Sequence, residues 1–156
     1  MRSRRSTLKK PRVLVDTSFL LPALGVEVED EVLEAIKLFR KIDVLYLELG
    51  LVEALWKVIR VVPSSKLDRV RVGVEAIRNS YRIVEPPVNA YIEAIEIYRR
   101  GHRDFVDALH YATARNLGIP WLTIDRSFIE FLSRNSYPIE GVVLTPNELK
   151  KLLELS

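Results

Sequence analysis

The sequence predicts a three-layer α/β/α sandwich around a mainly parallel central sheet. Short apolar runs alternate with stretches of helical spacing along the whole chain, the order that builds a βαβ fold. Those runs are continuous rather than alternating, as expected of strands covered on both faces. With 156 residues, 48% hydrophobic and 29% charged, the chain suits one globular domain with a substantial core.

Val13–Val15 is the first strand. Thr17–Leu24 then starts a helix, capped by Asp16 or Thr17 and ended by Gly25. Residues 29–41, EDEVLEAIKLFRK, place Val32, Ile36 and Phe39 on one helical face. Val44–Leu47 is a second strand, and GLVEALWKVIRV returns to helical spacing until Pro63. Ser64 or Ser65 caps the next helix, which runs to about Asn79. YRIVEPP is a strand closed by prolines, and Val88–Arg100 is a helix ended by Gly101. Asp104–Asn116 is a helix closed by Gly118, WLTID a strand and Arg126–Arg134 a helix. GVVLTP is the last strand and Pro146–Leu155 the closing helix.

The net charge of +3 is unevenly spread. Arg2, Arg4, Arg5, Lys9, Lys10 and Arg12 stand in the first twelve residues without an acid, leaving 18 basic against 21 acidic groups in the rest. The chain therefore divides into a basic tail, residues 1–10, and a domain, residues 11–156. Such an arm suits polyanion capture, and it equally suits a solvated tail that aids solubility. SRRSTLK is close to a twin-arginine signal, but Asp16 and Pro22 interrupt the apolar run behind it and no A-x-A site follows, so export is not expected. No stretch approaches the ~20 apolar residues of a membrane span. There is no cysteine, which excludes disulfides, thiolate metal sites and thiol nucleophiles and fits a cytoplasmic location.

In open parallel sheets, functional groups gather beyond the carboxyl ends of the strands. Asp16 follows the strand VLV and Asp125 follows WLTI, so both belong on that rim. Each also reads as a helix cap. Glu53 in LGLVEALWK and Asp107 in RDFVDALHYATA are acids among apolar neighbours, although helix surfaces also carry harmless acids such as Glu93 and Glu96.

Taken together, VLVDTSFLL, LVEALWK and VDALHYATARNLGIPWLTID resemble the PIN-domain nucleases, including the VapC-type toxins of toxin–antitoxin pairs. The resemblance spans nearly all of residues 12–146 and is most specific in the last segment. It implies an acidic quartet of Asp16, Glu53, Asp107 and Asp125 that is both catalytic and metal-binding. Thr17, Ser18 and Thr123 match the polar positions beside it. Glu48 competes with Glu53, but it precedes the helix that the motif occupies. Asp104, one helical turn before Asp107, is a supporting acid.

Four converging carboxylates repel unless some stay protonated or a cation joins them. Mg²⁺ or Mn²⁺ suits an all-oxygen site and can activate a water for phosphodiester hydrolysis. Ser18 has no histidine in a recognisable pattern, and no Gly-rich phosphate loop is present. His110 reads as a packing or hydrogen-bonding residue and His102 as a solvated member of the basic turn RRGHR. Arg103 and Arg126 are candidates for binding the substrate backbone. Trp56, Trp121, Tyr91 and Tyr98 read as packing or interface residues, and Tyr91, Ile95 and Tyr98 form a helix face that a dimer could share.

The expected function is a metal-dependent endoribonuclease, the toxin of a VapBC-type pair, with RNA as substrate, an antitoxin partner and a homodimeric state. Competing readings are a housekeeping RNA-processing nuclease and a non-catalytic scaffold that binds RNA or protein. Two phosphoryl-handling patterns fit less well. A haloacid dehalogenase wants an Asp where Ser18 stands, and a response-regulator receiver wants an acidic pair near the first strand and a late Lys.

Overall fold

The computed structural model describes residues 9–155, so most of the basic tail, residues 1–8, lies outside the described residues. The five strands are β1 (Arg12–Val15), β2 (Asp43–Tyr46), β3 (Arg82–Ile83), β4 (Trp121–Leu122) and β5 (Val143–Leu144). All pair in parallel, in the order β3-β2-β1-β4-β5. Among the described residues the α-helices are α1 (Asp30–Ile36), α2 (Glu48–Val61), α3 (Leu67–Ser80), α4 (Val88–Arg99), α5 (Phe105–Leu117), α6 (Arg126–Arg134) and α7 (Pro146–Glu154).

The pleat of β1 shows why the domain has three layers. Val13 and Val15 point to one face, where they join Leu51, Ala54 and Val58 of α2, Val70 and Ile77 of α3 and Leu149 of α7. Leu14 points to the other, against Ala90, Ala94 and Ile97 of α4, Ala108 and Leu109 of α5 and Phe128 of α6. Small residues, Ala90 and Ala94 of α4 and Ala108 and Ala112 of α5, let these two helices pack closely on each other, and Trp121 fills the space beside His110 of α5 and Phe128 of α6 without solvent exposure.

Three local expectations are corrected. The helix expected over Thr17–Leu24 is two 3-10 turns, Thr17–Phe19 and Pro22–Leu24. Pro22 has no N–H to continue an α-helical ladder, so the bonds close three residues back, Leu20 N–H to Thr17 O at 3.0 Å and Leu24 N–H to Leu21 O at 3.0 Å. The segment 29–41 is α-helical only over Asp30–Ile36 and ends in a 3-10 turn, Phe39–Lys41, that turns Phe39 inward against Phe19 and Tyr81. Neither Ser64 nor Ser65 caps α3, because both lie inside a 3-10 turn that leads into it.

Among the glycines of the described residues, Gly73 marks the tightest approach. A Cβ there would lie 2.1 Å from the carbonyl oxygen of Ala23, so α3 can rest on the Pro22–Leu24 turn only because the side chain is absent. Arg69, one turn earlier on α3, reinforces the contact by donating to the same oxygen at 2.7 Å. Among the described residues no helix is long and apolar enough to cross a membrane.

Candidate active site

The strand order reverses between β1 and β4. Connections from β1 lead through β2 to β3, whereas β4 lies on its other side. A crevice opens at such a switch point beyond the carboxyl ends of the strands, and Asp16 and Asp125 stand on its two sides. Asp16 directly follows β1, where its N–H donates to Leu122 O at 3.0 Å and ties its height to β4. Its Oδ1 accepts from Thr17 N–H at 2.8 Å and its Oδ2 from the Thr123 hydroxyl at 2.9 Å. Thr123 in turn accepts from Asp125 N–H at 3.1 Å. This chain of bonds holds the two carboxylates on opposite sides of the crevice in fixed relation.

Asp125 caps α6, with Oδ1 accepting from Phe128 N–H at 3.0 Å and Ser127 Oγ at 2.7 Å. Asp104 caps α5 by accepting from Asp107 N–H at 3.1 Å. Asp104 therefore stands just outside the helix, rather than one turn up the same face as the sequence suggested, and it directs the first turn that carries Asp107. Asp107 is buried, with its side chain 8% exposed. Glu53, half-buried on α2, faces the Thr17 hydroxyl and feels the charges of Asp16 and Asp104.

The structure thus brings Asp16, Glu53, Asp107 and Asp125 to one rim, with Thr17, Thr123 and Asp104 between them. Ser18 lies beside this group on the same turn, lining a shallow groove with Lys57 and Arg60. Glu48 is the first residue of α2, not a residue before it. Its carboxylate is paired with Arg78 at 2.7 Å, and Arg78 also donates to the Tyr46 hydroxyl at 2.6 Å. Arg126 reaches away to Glu31, at 2.6 and 3.2 Å. Arg103 is exposed and has no ion pair among the described residues.

Electrostatics explain how this group of acids is tolerated. Burial, the Asp16 charge and a hydrogen bond with Asp125 push Asp107 up to about 10. Burial also acts to raise Asp125, but hydrogen bonds from Asp107, Ser127 and Phe128 N–H outweigh it and hold Asp125 below the usual carboxylate range. The pair therefore shares one proton. Burial raises Asp16 against the opposing effects of His110, Thr123 and Thr17. Burial raises Glu53 as well, opposed by the Thr17 hydroxyl and reinforced by Asp104 and Asp16. A divalent cation would replace the shared proton and relieve the repulsion, so the donor set fits a hard metal ion.

A further residue, His102, departs from its sequence reading. His102 is not solvated. Its side chain is only 15% exposed, its ring stacks on Phe128 with centroids 4.1 Å apart, and Nε2 lies 3.4 Å from Asp107 Oδ2. Its pKa is lowered by burial, against the charges of Asp104 and Asp125. His102, Asp107 and Asp125 offer ligand atoms that all lie within 4.8 Å of one another. The only local signal was the five-residue step to Asp107, and the phenylalanine that seats the ring comes from a later helix. His110 is wholly buried, as its packing role implied, with Nδ1–H donating to Val106 O at 2.7 Å.

The PIN domain family matches residues 13–131, a span that contains all four acids. The chain belongs to the PIN domain family. That family consists of nucleases, and the solved structures similar to this PIN domain share its fold. PAE2754 from Pyrobaculum aerophilum superposes with a TM-score of 0.60 at 23% identity, covering 94% of this chain and 92% of that one. VapC20 of Mycobacterium tuberculosis, a sarcin-ricin loop cleaving toxin, gives 0.57 at 25% identity, with 76% and 93% covered. A toxin–antitoxin complex from Klebsiella pneumoniae gives 0.60 at 16% identity, with 86% and 97% covered. No curated protein matches the chain.

Proposed function

We propose that this PIN domain is a Mg²⁺- or Mn²⁺-dependent endoribonuclease and the toxin of a VapBC-type pair. The observation that carries the reading is the meeting of Asp16, Glu53, Asp107 and Asp125 at the β1/β4 switch point, in a chain whose family is one of nucleases. RNA is favoured as substrate by the likeness to VapC20, itself a sarcin-ricin loop cleaving toxin, and the toxin role by the likeness to toxin–antitoxin complexes. An RNA substrate and a protein antitoxin both imply a cytoplasmic site of action.

In this reading Asp16, Glu53, Asp107 and Asp125 would hold the metal. A bound divalent ion supplies an activated water and stabilises the leaving oxygen of the phosphodiester. Asp16 stands at the end of a rigid strand, where Thr17 N–H and the Thr123 hydroxyl fix both its oxygens. Asp104 orients the turn that presents Asp107. Arg103, free of ion pairs, is available for the substrate backbone, whereas Arg126 must first leave Glu31.

Homodimerisation through α4 belongs to the same proposal. Tyr91, Ile95 and Tyr98 are 44%, 41% and 43% exposed, while Ala90, Ala94 and Ile97 on the neighbouring face of the helix do the packing. The apolar face is therefore available to a second copy. Induced expression tests the toxin role. It should arrest growth with fragmentation of RNA, and co-expression of an adjacent small gene should relieve the arrest. Growth without RNA fragmentation would contradict the proposal.

A further inference from the structure

We propose that His102 supplies a nitrogen ligand to the metal centre and biases that centre toward Mn²⁺ over Mg²⁺. The inference rests on the metal-nuclease reading for the presence of a divalent ion, and it adds a ligand that the carboxylate pattern does not contain.

Geometry is the first support. An octahedral ion with donors at about 2.1 Å places neighbouring ligand atoms about 3.0 Å apart and opposite ones about 4.2 Å apart. His102 Nε2 and Asp107 Oδ2 are separated by 3.4 Å, close to the spacing of neighbours. With Asp125 included, the three ligand atoms stay within 4.8 Å, slightly wider than an opposite pair. A cation between them needs only a small contraction, without a change of backbone.

The seating of the ring is the second. A histidine on a turn before a helix would ordinarily swing into solvent. Here Phe128 stacks on one side at 4.1 Å and Phe131 lies at 5.3 Å, so Nε2 is held toward the carboxylates. Phe128 is itself fixed, because its N–H donates to Asp125 Oδ1. The same residue therefore positions a carboxylate through its backbone and an imidazole through its ring. Among the described residues His102 makes no other hydrogen bond, so Nε2 has no competing structural partner.

Ligand chemistry then sets the preference. Mg²⁺ demands oxygen donors and keeps its waters, whereas imidazole suits the transition metals. Mn²⁺ accepts both carboxylate and imidazole. One nitrogen in an otherwise all-oxygen set should thus favour Mn²⁺ without excluding Mg²⁺.

The test is pulsed electron paramagnetic resonance of Mn²⁺ bound to the full chain, with Mn²⁺ and Mg²⁺ dissociation constants measured beside it. The expected spectrum shows nitrogen hyperfine coupling that disappears in His102→Gln. That variant should weaken Mn²⁺ by about tenfold or more while leaving Mg²⁺ largely unchanged. Bound Mn²⁺ without nitrogen coupling in the wild-type protein overturns the His102 assignment while leaving the carboxylate site standing. Coupling that survives His102→Gln, or equal weakening of both ions, overturns it as well. Failure of the protein to bind Mn²⁺ at all overturns it together with the metal-nuclease reading. The wild-type spectrum decides the main point without requiring any variant to fold.

Discussion

The shared proton between Asp107 and Asp125 makes the stability of the metal-free protein fall as pH rises. Burial, the Asp16 charge and the bond with Asp125 push Asp107 up to about 10 in the folded chain, against near 4 when unfolded. A raised folded value means that the stabilisation is fully present below the unfolded pKa and is lost progressively up to the folded one. Across pH 7 to 9 the folded protein holds one proton that the unfolded chain has released. Linkage then gives a loss of about 1.4 kcal/mol per pH unit, or about 3 kcal/mol over the interval. For a domain of this size that corresponds to a fall of roughly 6–12 °C in Tm. The interval lies above the ordinary histidine range, Asp125 is held low against burial by its hydrogen bonds, and Asp16 and Glu53, raised by burial, act in the same direction as Asp107. Thermal unfolding followed by circular dichroism in EDTA at pH 7, 8 and 9 measures the slope. Saturating Mn²⁺ or Mg²⁺ should raise Tm and flatten it, because the ion replaces the proton. Asp107→Asn should flatten it without metal. A Tm in EDTA that is constant or rises over this interval, or an unchanged slope in Asp107→Asn, would refute the reasoning.

Gly73→Ala should destabilise the fold by about 1–3 kcal/mol in denaturant unfolding, since the overpacking against Ala23 O exceeds the helix-propensity gain. Tyr98→Asp should convert a dimer to monomer in sedimentation at micromolar concentration; a wild-type protein that sediments only as monomer removes the α4 interface. Deleting residues 1–10 should weaken RNA binding alike for all sequences and reduce its salt dependence. Lys10, Arg40 and Arg82 line a cleft of about 510 Å³ at the end of the sheet opposite the acids, so a residual salt slope after deletion is expected from the two arginines.

The layered fold was legible in the sequence because its strands are short apolar runs and several helices end at glycines, which alone adopt a left-handed backbone without steric cost. Gly118, for example, closes α5 at a φ of 67°. Asp16 and Asp125 were legible as rim residues because each directly follows an apolar run. Expectations failed where an element's length depends on tertiary packing. The segment after Asp16 has helical spacing, yet Pro22 and the contact with Gly73 divide it into tight turns. Glu48 became assignable only with Arg78, thirty residues away, in view. His102 was misread for the same reason: its basic neighbours suggested solvent, and the aromatic seat that removes it from solvent lies on α6.

Cleavage of RNA by the wild-type protein and by Asp16→Asn and Asp125→Asn, with Mg²⁺ or Mn²⁺ and with EDTA, tests the central claim most directly. Asn can keep the Thr17 and Phe128 caps, since its carbonyl oxygen still accepts an N–H, so both variants should remain folded by circular dichroism. The account predicts cleavage that EDTA abolishes and that falls at least about 100-fold in each variant. If the two carboxylates served only as helix caps, activity would survive both substitutions. Full metal-dependent cleavage by both variants, or wild-type cleavage that EDTA does not affect, would contradict the account.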